Sequence, residues 1–172
     1  MTAVHVDSQV AEAWPEYRAT VVIAEGVRNA PSDEASERLL AAAEAAARSN
    51  GLGRAADDPR IAAWRAVFSA FGSKPSKYPS SAESLLGRVL KGDRLPRINA
   101  LVDTYNAVSL RHVIPVGGED LDAVEGDLRL TRADDGEVVW RDDAGVTCRR
   151  WNWRQGERTR LTESTVRAFF VL

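Results

Sequence analysis

Helical and strand patterns occupy different stretches of this 172-residue chain, and that segregation limits the folds open to it more than any other feature. From Glu34 to Asn50 the sequence is alanine-rich, with Leu39 and Leu40. Pro31-Ser32-Asp33-Glu34 introduces this helix and Gly51 stops it. Asp58-Pro59 supplies a capping acid followed by proline at the first helical position, and Ile61, Trp64, Phe68 and Phe71 follow at helical spacing up to Gly72. Gly72 to Pro79 holds two prolines, two lysines and a tyrosine and reads as a loop. Ser80 and Glu83 form a capping-box pair for a short helix ending near Gly92. Pro96 restarts a helix on which Ile98, Leu101, Val102, Tyr105 and Val108 share one face. After Pro115 and Gly117-Gly118 the period changes. Leu128 and Leu130 alternate with charged residues, Asp135-Gly136 signals a hairpin, and Val138-Val139-Trp140 answers it. Ala144-Gly145 turns again, and Val146–Trp151 and Val166–Leu172 read as further strands. Two earlier stretches, Val4-His5-Val6 and Tyr17–Val27, also have strand composition.

Helices mostly in the first two-thirds and strands mostly in the last third predict an α+β protein, with helices layered on a largely antiparallel sheet. No repeat, low-complexity tract or linker divides the chain. One domain is expected, with residues 1–57 as an N-terminal extension packed on residues 58–172. Apolar residues make up 44% of the sequence, enough for a core without covalent staples. The single cysteine, Cys148, excludes an internal disulfide, and with only His5 and His112 present a zinc site lacks obvious ligands. No run approaches the roughly 20 apolar residues of a membrane span. Residues 1–10 have no signal-peptide pattern. A soluble, cytoplasmic, monomeric protein with no metal and no organic cofactor is the expectation.

Net charge is only −2, but it is unevenly distributed. Lys74–Arg97 carries six bases against two acids, Glu119–Asp143 ten acids against three bases, and Arg149–Arg160 five arginines against one acid. A basic stripe within a near-neutral protein can steer a polyanion, and ordinary surface charge would look the same.

No phosphate-loop pattern, nucleophile elbow or paired histidines are present. Gly117-Gly118 before Glu119-Asp120 is either a plain turn or a set of N–H groups facing an anion. His112 reads as structural rather than catalytic. Cys148 reads as an inert buried thiol, with activation by neighbouring arginines as the alternative. Two segments need explaining. Asp103, Asn106 and Ser109 recur every third residue between apolar positions, so any that are buried require partners from the protein or from a ligand. Arg149-Arg150-Trp151-Asn152-Trp153-Arg154-Gln155 alternates arginines with aromatics, which suits base stacking with phosphate contact, and equally suits a strand with core tryptophans and solvated arginines.

Taken in order, these segments resemble the B3/B4 domain of the beta subunit of phenylalanyl-tRNA synthetase. The likeness rests on Lys74-Pro75-Ser76-Lys77-Tyr78-Pro79-Ser80-Ser81-Ala82-Glu83, on Ile98-Asn99-Ala100-Leu101-Val102-Asp103 with Asn106 and Ser109, and on Pro115-Val116-Gly117-Gly118-Glu119-Asp120-Leu121-Asp122. Trp151-Asn152-Trp153-Arg154 looks like the ending of free-standing members of that family. The resemblance covers about the last hundred residues and barely touches the first sixty. It implies a layered α+β fold with a β-sandwich-like core, a tRNA partner, and hydrolysis in trans of an amino acid wrongly esterified to tRNA. It departs from the synthetase where Gly117 replaces a histidine and where Cys148–Trp153 is bulky and basic, so tyrosine specificity does not transfer.

A positioned water suffices to cleave an activated ester, provided the site orients it and stabilises the oxyanion. By residue type and resemblance, Glu119 and Asn106 are the expected catalytic pair. Ser109, Gly117, Gly118, Asp120 and Asn152 would bind the substrate. Lys74, Lys77, Tyr78, Trp151 and Arg154 would hold the tRNA end. Two other classes stay open: a non-catalytic tRNA or aminoacyl-tRNA binding module, and a binder of a free amino acid or similar small molecule.

Overall fold

The computed structural model describes residues 2–172. In chain order these form β1 (Val4–Val6), α1 (Ser8–Ala13), β2 (Val21–Ala24), α2 (Glu34–Arg48), α3 (Pro59–Ala70), α4 (Ser81–Leu90) and α5 (Ala100–His112). β3 (Gly117–Asp120), β4 (Leu128–Arg132), β5 (Val138–Asp142), β6 (Gly145–Arg149), β7 (Arg154–Gln155) and β8 (Ala168–Val171) follow. The protein is α+β, as its sequence pattern predicts.

The strands build two sheets. One has the order β1-β4-β5-β6-β7 and is antiparallel except where β1 joins β4 in parallel. The other, β2-β8-β3, is antiparallel throughout. Each sheet therefore takes an edge strand from the first 24 residues.

Local chemistry sets the helix starts. The Asp33 carboxylate accepts from the Ser36 N–H at 2.8 Å while the Ser36 hydroxyl receives the Asp33 N–H at 3.0 Å, closing a reciprocal cap on α2. Asp58 accepts from the Arg60 N–H at 2.8 Å, with Pro59 opening α3. Ser80 caps α4 through the Glu83 N–H, but the Glu83 carboxylate turns to Arg65 at 2.6 Å, so only half of the expected box forms.

Four sequence expectations need correction. Pro96 does not start α5. Residues 96–98 stay outside the helix because Asp103 accepts the Ile98 N–H at 3.0 Å, and Asn99 caps the Val102 N–H at 3.0 Å. Ile98 is thus exposed and off the helix. Gly117-Gly118 is not a turn but half of β3, paired with Val171 and Phe170. The strand expected over Val146–Trp151 stops at Arg149, because Arg150 and Trp151 have φ of 46° and 63°. The strand expected over Tyr17–Val27 shrinks to β2, and α1 is a helix that its six residues gave no pattern to reveal.

Three packed regions result among the described residues, the smallest around Val102, Leu161 and Ala168. Beneath α2, α4 and α5 lies an aliphatic core including Leu40, Ile61, Leu86, Val89 and Leu110. Between α3 and the two sheets lies an aromatic core including Phe68, Phe71, Trp140, Trp151 and Phe169. The candidate site opens into the aromatic core.

Candidate functional site

A cavity of about 840 Å³ runs between α3, the start of α4, the C-terminal part of α5 and both sheets. That volume lies within the range of sites that enclose small organic ligands. Its walls are mainly apolar. Trp64 from α3, Tyr105 from α5, Trp140 from β5 and Phe169 from β8 contribute rings, and Trp14 and Tyr17 close one side from the N-terminal segment.

Two backbone devices aim residues at this space. At the end of α5, Val113 takes a left-handed conformation (φ 52°) and the Ser109 hydroxyl donates to the Ile114 carbonyl at 2.6 Å. Ile114 to Gly117 then run along the cavity wall. After β6, the left-handed pair Arg150-Trp151 reverses the chain. Trp151, 2% exposed, packs edge-on against Tyr17, Trp14 and Trp64 with centroids 4.8, 5.1 and 5.5 Å away. Arg150 lies 3.8 Å from the Tyr78 ring and 4.8 Å from the Trp153 ring, and is ion-paired with Glu137. This stack pins the Gly72–Pro79 loop to the cavity rim, and the Ser81 N–H bonds to the Asn152 carbonyl at 3.1 Å.

Glu119 enters the cavity from β3 and is 7% exposed. Gln155 donates from Nε2 to its Oε2 at 2.8 Å and, with the same nitrogen, to the Gly118 carbonyl. Burial pushes the Glu119 carboxyl up to about 7, against the opposing pull of Thr159, Gln155 and Arg158. No cation forms an ion pair with it among the described residues. Burial, with the charge of Glu119 nearby, lifts the Tyr105 phenol to about 12. The same two causes raise the Cys148 thiol, which therefore stays protonated and is not an activated nucleophile.

Several polar side-chain atoms of residues in the cavity wall are buried without a partner among the described residues: Oδ1 and Nδ2 of Asn152, Oγ1 of Thr147 and Oγ of Ser81. All three residues line the cavity. Buried polar atoms are nearly always hydrogen-bonded, so these three residues are candidates to turn toward a polar group of a ligand.

Of the residues singled out from the sequence, Glu119, Asn106, Gly117, Trp151 and Asn152 line the cavity, and Tyr78 sits at its rim in the Arg150 stack. The others lie elsewhere. Ser109 is spent on the Ile114 carbonyl. Gly118 turns its carbonyl to Gln155. Asp120 caps the next turn through the Asp122 N–H at 3.0 Å and accepts from the Thr165 hydroxyl at 2.6 Å. Arg154 is exposed on β7, and Lys74 and Lys77 are exposed on their loop. Asp103, fully buried, accepts from Ser32 and the Ile98 N–H, so the every-third-residue polar line of α5 divides into two structural residues and one cavity residue, Asn106.

Sequence reasoning missed Thr147, Gln155, Trp14 and Tyr17. Gln155 closes the arginine–aromatic segment, and the Trp14-Pro15-Glu16-Tyr17 cluster is dense enough in aromatics to have marked a packed element. Thr147 carries no local signal. Among the described residues no three His, Cys, Asp or Glu side chains are grouped to hold a metal ion, and no helix is long and apolar enough to cross a membrane.

A family model described as the B3/4 domain matches residues 63–172. No curated protein matches the chain.

Proposed function

The chain belongs to the B3/4 domain family, and from that premise we propose that it binds the aminoacylated 3′ end of a tRNA and hydrolyses a wrongly attached amino acid. The observation that carries this reading is the buried carboxyl of Glu119, without an ion-pair partner among the described residues and poised near neutrality in an aromatic-walled cavity whose wall also holds unpartnered amide and hydroxyl side chains.

A carboxylate with a pKa near the working pH is well matched to general-base work. In the proposed step ionised Glu119 takes a proton from a water as the water oxygen attacks the ester carbonyl carbon. The carbon–oxygen bond to the ribose then breaks. The proton passes from Glu119 to the departing ribose oxygen, leaving a free amino acid and a tRNA with its hydroxyl restored. Asn152 and Thr147, whose Nδ2 and Oγ1 have no protein partner among the described residues, would turn toward the oxyanion as its donors. Asn106, across the cavity on α5, supplies amide contacts to the amino acid or ribose. These groups take over the oxyanion and substrate roles that the sequence suggested for Gly118, Ser109 and Asp120.

The test offers the purified protein a panel of correctly charged and mischarged tRNAs and follows ester remaining against a no-protein control. Selective loss of one mischarged species, reduced at least a hundredfold by Glu119→Gln and about tenfold or more by Asn106→Ala, is the expected result. Equal rates for the wild type and both folded variants would remove this site. Salt-sensitive tRNA binding with no hydrolysis would replace the enzyme with a binding module.

A further inference from the structure

A second depression, about 560 Å³, adjoins the aromatic cavity along α4, between that helix, the Gly72–Pro79 loop and the turn before α3. Ser84 lines both spaces. Ser81, Ser84, Arg88 and Lys91 fall at helical steps of three and four, so they form one stripe along α4 that leads from the cavity mouth into the depression.

The chemistry changes along that stripe. At the cavity end it is hydroxyl and apolar. At the far end Arg88 and Lys91 are exposed and make no ion pair among the described residues. Arg54 flanks them, paired with Asp57, and Pro75 and Ser76 form the opposite lip, flanked in sequence by the exposed Lys74 and by Lys77, whose ammonium lies 5.1 Å from the Tyr78 ring centre. The acids here are Glu83, committed to Arg65, and Asp93. Unpaired cations therefore outnumber free carboxylates on both lips.

Resting on the reading that the cavity receives an aminoacyl group, we propose that this groove carries the phosphodiester backbone of the same RNA strand, with Arg88, Lys91, Lys74 and Lys77 as the phosphate contacts. Ser84 to Lys91 spans about 10 Å of helix, the length of roughly three stacked nucleotides at ~3.4 Å each. The Tyr78–Arg150–Trp153 stack anchors the loop lip beside the cavity. The occupant is RNA rather than a soluble anion because the cations are spread along a path continuous with the cavity instead of converging on one point.

The experiment measures binding of fluorescently labelled, deacylated bulk tRNA to the full chain over a salt series. Arg88→Ala/Lys91→Ala, both exposed positions, is compared with wild type and with Arg141→Ala, an exposed cation on β5. The double variant should weaken low-salt binding at least tenfold and flatten the slope of log affinity against log salt by about 1.4, some 0.7 per lost single-strand phosphate contact. Arg141→Ala should match wild type. If wild type binds with a clear salt dependence and the double variant is indistinguishable from it, the groove assignment fails and the cavity reading survives. If wild type does not bind tRNA at any salt concentration, the reading of the cavity fails and the groove falls with it.

Discussion

Glu44 on α2 and Glu119 on β3 are both buried, at 2% and 7% exposure, yet their surroundings drive them in opposite directions. At Glu44 burial raises the carboxyl, but the Arg97 guanidinium at 2.6 Å and the Leu95 N–H at 2.8 Å more than reverse it, and the group is held below its ordinary range. At Glu119 burial wins, because the contacts opposing it are Gln155, Thr159 and a more distant Arg158. The aliphatic half closes around its acid with small residues such as Ala43 and Ala47 and leaves the charge fully matched. The aromatic half is tiled by large planar rings, leaves a cavity, and leaves its acid unmatched. A buried charge that is fully paired is scaffold. One left near neutrality, facing empty space, costs stability and is ready to exchange a proton.

That contrast can be broken by mutation. Glu44→Ala leaves the Arg97 cation and the Leu95 N–H without their acceptor, and should destabilise the fold by about 3–5 kcal/mol in chemical denaturation. An effect under about 1 kcal/mol would mean that the pair is not holding α2 in place. Glu119→Gln should act with the opposite sign. The folded Glu119 carboxyl titrates near 7 and the unfolded one near 4.5, so the folded state binds the extra proton between those values. Its favourable contribution is complete below about 4.5 and is lost as pH rises through about 7. Above that the charge costs roughly 3 kcal/mol, discounted for any relaxation. The glutamine variant should therefore gain up to that amount over wild type at pH 8 and little at pH 4.5. Equal stability at both pH values would contradict the unmatched state of the acid. A smaller effect is expected from Gly118→Ala, whose added Cβ would meet Leu161 at 2.8 Å and Phe170 at 3.0 Å. Overpacking there should cost about 1–3 kcal/mol and shift β3, moving Glu119 with it. Unchanged stability and unchanged hydrolysis would show that β3 tolerates repositioning.

Four of the five helices and most of the strands were legible because their signals are local. Asp58-Pro59, the Ser80–Glu83 pair and Asp135-Gly136 each act within a few residues. The start of α5 was misread because the groups that keep Pro96 to Ile98 extended are Asp103 from the helix itself and Glu44 from α2, which takes the Leu95 N–H. At the site, Glu119 and Asn106 were singled out by residue type and by the family resemblance, and both line the cavity. Ser109 and Asp120 looked equivalent to them, and only the tertiary structure supplies the Ile114 carbonyl and the Thr165 hydroxyl that occupy them. Gly117-Gly118 looked like a turn because its pairing partner, β8, lies some fifty residues on, beyond the reach of any local pattern. The N-terminal rings were missed for the same reason: their partner Trp151 is far away in sequence.

The proposed role of Glu119 as the base in ester hydrolysis is tested most directly by the pH dependence of single-turnover deacylation. With the spontaneous rate subtracted, the wild-type rate should rise about tenfold per pH unit below neutrality and level off above about 7, where Glu119 is ionised. Glu119→Gln should lose that rise together with the activity. A wild-type profile that is flat from pH 5 to 8, or a rise retained by the glutamine variant, would contradict the account.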